Sequence, residues 1–136
     1  MLQFFFLSIL LNGIAGYVLI SDDAAAGNGV EGGFRLSISP GSPRLILGLL
    51  TAFTGLLKVL SVIEKDIAVI GDIVPALAGL AAGSVLILEY YRDHSSIESE
   101  NNEKVGLILI KNRKLIGFIS LAAAALHFFI PQVLFL

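Results

Sequence analysis

Four side chains that could hold an ion or pass a proton stand inside otherwise apolar stretches: Asn12, Lys58, Asp72 and His127. Ionisable groups in hydrocarbon cost a few kcal/mol or more unless they face a partner or a cavity. Lys58 lies seven residues before Lys65, and Asp72 lies seven after it. Glu64-Lys65-Asp66 is a very short connector, so the stretches on either side should fold back as an antiparallel hairpin. That fold brings the cation and the anion to one depth. Counting from the ends of the apolar stretches brings Asn12 and His127 to the same depth within about a helical turn. The expectation is an intramembrane polar layer of Asn12, Lys58, Asp72 and His127. Its chemistry is either a lock that pins helices together or a path or site for a proton, ion or small ligand.

The small residues suggest the same register. Gly48, Thr51, Gly55 and Lys58 recur at spacings of three and four, and so do Asp72, Ala76, Gly79 and Gly83. Each set falls on one helix face. Opposing 58 with 72 then opposes 55 with 76, 51 with 79 and 48 with 83. Gly48, Gly55, Gly79 and Gly83 become the helix-packing residues, and Gly79 to Gly83 forms a GxxxG pattern that permits close backbone approach. Ser8, Asn12 and Gly16 form a similar stripe, as do Gly117, Ser120, Ala124 and His127.

The elements that must position these residues are the apolar stretches themselves: about 2–20, 45–62, 67–91 and 115–136. A helix needs roughly 20 apolar residues to cross a hydrocarbon core, and inside lipid it satisfies its own backbone. The expected fold is all-α: a single integral membrane domain over 1–136, built as a four-transmembrane-helix bundle with a tight hairpin between helices 2 and 3. Phe34 to Ser39 alternates and Val105 to Ile110 is a short apolar run. Together they could form a short two-stranded sheet at the cytoplasmic interface. One helix from Glu103 to Leu136 would be about 50 Å long and would carry Lys111, Arg113 and Lys114 into the membrane, so a break is expected near Asn112.

Composition supports this class. Of 136 residues, 56% are hydrophobic and 15% charged, with a net charge of −2 and a mean hydropathy of +0.88. Soluble domains are about a quarter charged. A pI near 5.6 lacks the basic footprint of a nucleic-acid binder. There is no Cys, which removes disulfide and thiol chemistry. No HExxH, P-loop or GxSxG pattern occurs, and no dinucleotide fingerprint in a strand-to-helix setting. No catalytic residue, cofactor or metal is therefore expected.

Arg35, Arg44, Arg92, Lys104, Lys111, Arg113 and Lys114 fall on one side of such a bundle. Basic loops stay in the cytoplasm, which places both termini outside an inner membrane. Glu89, beside Tyr90 and Tyr91, reads as a solvated helix end, and Lys111, Arg113 and Lys114 as contacts to lipid headgroups.

The stretch Arg44 to Lys58, RLILGLLTAFTGLLK, resembles the first helix of the DoxX-type small membrane proteins over about a ninth of the chain. Here it is the second span, and no function is carried across. The expected function is that of a non-catalytic accessory or scaffold subunit of a membrane assembly. Its partners would be lipid and either further copies of the chain or a larger complex. The alternative is a small transporter or channel with a Lys58/Asp72 polar site.

Overall fold

The computed structural model describes residues 2–26, 41–60, 73–94 and 103–129. They form five helices: α1 (Leu2–Ala26), α2 (Ser42–Leu60), α3 (Ile73–His94), α4 (Glu103–Lys111) and α5 (Arg113–Phe129). Two of these starts are written in the sequence. Gly41 precedes α2 at φ 125°, a conformation open to glycine because it lacks Cβ. Its carbonyl accepts from the backbone N–H of Arg44 at 3.0 Å and of Leu45 at 3.4 Å, which satisfies first-turn donors that have no partner within the helix. Pro75 sits in the first turn of α3, where a missing N–H breaks no helical bond. No neighbour lies within 4 Å of a Cβ built on Gly41, so backbone strain alone should make Gly41→Ala cost about 1–2 kcal/mol. A lower thermal midpoint in detergent, with unchanged helix content, is the expected reading.

Helix α2 runs antiparallel along α3, and α1 runs antiparallel along α5; α3 also touches α1 and α5. Glycines make the crossings. A Cβ on Gly83 would stand 2.6 Å from both Ala52 N and Gly48 O, and one on Gly55 would stand 2.7 Å from Ala76 O. On the other pair, a Cβ on Gly16 would stand 2.7 Å from Gly117 O. The obstacles are backbone atoms, so a side chain at these positions has nowhere to turn.

Leu11, Val18, Leu19, Leu47, Val85 and Leu86 form an apolar cluster in the interior, and small and polar residues share that interior. Ala15, Ala76, Ala82 and Ser120 are fully buried, and Ser8, Asn12, Thr51, Thr54, Lys58 and His127 are buried with them. Phe6, Leu10, Ile46, Leu49, Phe53, Leu77, Phe118 and Ile119 are exposed.

Two expectations need correction. First, α2 and α3 are long and apolar enough to cross a membrane, whereas the apolar part of α1 is Phe5–Ser21 and α5 has 17 residues. Five helices, two of them of spanning length, replace the four-transmembrane-helix bundle. Helix α1 is long because it continues through the polar Asp22-Asp23 to Ala26, and those residues lengthen the helix but not its apolar stretch. Second, there is no strand among the described residues. Val105 to Ile110 lies within α4, so half of the expected interfacial sheet is helical; its partner, residues 34–39, lies outside the described residues. The break expected near Asn112 is present, and it is a single residue. Asn112 N bonds Ile108 O at 3.1 Å and Ile116 N bonds Asn112 O at 3.0 Å, while the Asn112 side-chain amide donates to Ile108 O at 2.9 Å. A helix carries its own backbone partners across such a junction, which a six-residue strand cannot do. The tight connector at 64–66 lies outside the described residues.

Candidate functional site

The polar residues of the interior occupy two levels. At one end, Lys58 from α2 meets His127 from α5, with Nζ 3.0 Å from Nε2 in a buried setting. A lysine ammonium has donors only, so in this contact Nζ is the donor to Nε2. Phe5 from α1 closes the group. Its ring centroid is 4.5 Å from that of His127 and 5.9 Å from Lys58 Nζ, within the range of a cation–π contact.

Asn12 stands elsewhere. Its Nδ2 donates to Pro75 O of α3 at 2.8 Å, and its backbone carbonyl accepts from Ser120 Oγ of α5 at 2.9 Å. Ser120 is seven residues from His127 and Asn12 seven from Phe5, so this level lies about 10 Å from the first. Gly16 against Gly117 sets the register of α1 on α5, and that register puts Phe5 opposite His127. The structure thus brings Lys58 and His127 together and holds Asn12 apart from them. Asp72 lies outside the described residues.

The packing glycines fall into two roles. Gly55 lies against Ala76, and Gly48 and Gly83 lie against each other across α2 and α3. Gly79 makes room for Asn12, whose Oδ1 is 2.7 Å from the place of a Cβ there, with Thr51 O at 3.4 Å. The pairs opposed in the sequence, 55 with 76, 51 with 79 and 48 with 83, are neighbours. Cross-helix polar bonds of this kind contribute about 0.6 kcal/mol on average in membrane proteins. Asn12→Ala and Ser120→Ala should each cost about 1 kcal/mol or less, measured as unfolding midpoints in mixed micelles.

At the opposite end, the start of α2, the end of α3 and the start of α5 surround a cleft of about 340 Å³. Arg44, Glu89, Tyr90, Arg92, Asp93 and Arg113 line it. Arg113 Nε lies 3.1 Å from Glu89 Oε1, with the side chains 19% and 13% exposed. Both Glu89 carboxylate oxygens are shielded from solvent. Sequence reasoning missed this pair by reading Glu89 as a solvated end and Arg113 as a headgroup contact. The available signal was a glutamate at one helix end and a basic cluster at the next, on the same side.

With this geometry in view, comparison with known proteins adds a relationship but no activity. The model of a domain-of-unknown-function family matches residues 1–127. The chain belongs to that family. An uncharacterised protein of Treponema pallidum (strain Nichols) is 29% identical over 136 residues, the full length of both chains. No solved structure matches the chain.

Proposed function

We propose that this family member is an integral protein of the inner membrane that serves as a non-catalytic accessory or scaffold subunit of a membrane assembly. The single observation that carries this reading is the large outward-facing apolar surface: Phe6, Phe53, Leu77 and Phe118 are exposed, while Asn12, Thr51, Lys58, Ser120 and His127 are buried. Exposed apolar patches of that extent mark membrane or protein contact. The glycine faces are spent within the chain, which leaves the large outer side chains for lipid and partner helices.

Helices α2 and α3 supply the crossing, and α1 and α5 pack against them. Arg44, Arg92 and Arg113 gather at one end, whereas Phe5 and His127 lie at the other with Lys58. The positive-inside rule assigns the arginine end to the cytoplasm and the chain ends to the outside. The interior reads as a lock rather than a path, because below Lys58 and His127 the next level is filled by Asn12 bonded to Pro75 O and by Ser120 bonded to Asn12 O. A transporter around Lys58 needs a polar route past that level.

Native mass spectrometry of gently extracted membranes tests the subunit role. The expected result is a fixed-ratio complex with further polypeptides. A lone monomer under conditions that preserve known membrane complexes contradicts it.

A further inference from the structure

We propose that the cleft between the start of α2, the end of α3 and the start of α5 binds a phosphate group, with Arg44 and Arg113 as its principal donors. This goes beyond the accessory role above and does not depend on it: a lone monomer could carry the same site. Three guanidiniums, Arg44, Arg92 and Arg113, share the cleft with two carboxylates, Glu89 and Asp93, so the lining carries an excess of one positive charge. Its volume of about 340 Å³ lies within the about 300–1,000 Å³ of small-molecule sites.

The arginines differ in setting. Arg44 is half-buried and Arg92 is exposed at the mouth. Arg113 is held by Glu89, a carboxylate shielded from water. A shielded carboxylate is costly to keep, and here it forms an ion pair with the guanidinium, Oε1 standing 3.1 Å from Nε. A guanidinium is a planar fork that matches two oxygens of a phosphate. The ion pair keeps Arg113 at the cleft wall, and Arg44 lines the same space from another helix. The first turn of α2, which follows Gly41 in the cleft wall, adds the positive end of a helix dipole.

The phosphate could come from a lipid headgroup or from free solution, and two probes separate these sources. The full-length chain in detergent is titrated with inorganic phosphate and with dioctanoyl phosphatidic acid, a short-chain lipid. Saturable one-to-one binding of the lipid alone assigns a headgroup site, and binding of both assigns a site for the free anion. Arg44→Gln and Arg113→Gln should each lower affinity at least tenfold. Arg113→Lys should fail to restore it, because an ammonium lacks the fork. If Arg113→Gln misfolds through the stranded Glu89, the Glu89→Gln/Arg113→Gln pair removes both charges and reports in its place. Absence of saturable binding of both probes overturns the proposal, as does parental affinity in Arg44→Gln together with the Arg113 variant.

Discussion

Gly83→Leu is expected to prevent α2 and α3 from closing on each other. At Gly83 the first added carbon already meets Ala52 N and Gly48 O at 2.6 Å and Ala52 Cβ at 2.8 Å. Two of these are backbone atoms, so no rotamer change relieves the contact and one helix must move. Overpacking costs about 1–3 kcal/mol where side chains can shift, and a helix displacement lies at or above the top of that range. Gly83→Ala should already lose about 2–3 kcal/mol, and leucine should leave the chain unassembled. Gly106 is the control. A Cβ there has no neighbour within 4 Å, so Gly106→Ala should be neutral or add up to about 1 kcal/mol from helix propensity. Unfolding of the three variants in mixed micelles gives the order directly. Parental stability in Gly83→Leu would mean that the two helices do not meet as described.

The second large effect is expected at the Lys58–His127 contact. His127→Leu keeps the volume roughly filled but removes the acceptor at 3.0 Å from Lys58 Nζ. Hydrogen bonds to charged groups contribute about 1.5–3 kcal/mol, and a buried cation that loses an acceptor bears the larger figure. His127→Leu should therefore lose about 2–3 kcal/mol. Lys58→Met removes the charge itself. Replacing both partners by apolar groups can be nearly neutral for the pair, so the double variant should cost less than the sum of the singles, with a coupling of about 1–2 kcal/mol. A double-mutant cycle in detergent measures it. Strict additivity would mean that the two side chains do not stabilise each other.

The faces of α2 and α3 were legible because small residues at spacings of three and four leave a helix few ways to pack. Gly48, Gly55 and Gly83 each bring backbone of the facing helix within 3.0 Å of where a Cβ would stand, and a register that opposes small with small follows from the sequence. The place of Asn12 was not legible. Depths counted from the ends of apolar stretches treat those ends as level, but Gly16 on Gly117 fixes how α1 slides along α5, and that contact pairs Asn12 with Ser120. The number of spans was overread for a related reason. An apolar stretch and a helix need not share ends: α1 runs on to Ala26 through two aspartates, while its apolar part stops at Ser21. Reading Glu89, beside Tyr90 and Tyr91, as a solvated helix end hid its pairing with Arg113. A one-residue junction carries Arg113 back over the end of α3. Val105 to Ile110 was ambiguous in itself, since a short apolar run fits a strand or a helix equally.

The central claim is that the exposed leucines, isoleucines and phenylalanines of α1, α2, α3 and α5 face hydrocarbon. Membranes from cells producing the chain, washed at alkaline pH with sodium carbonate and then treated with a mild detergent, test it most directly. The account predicts that the chain stays in the pellet through the wash and is released only by detergent. Recovery as a monodisperse monomer in buffer without detergent would contradict it.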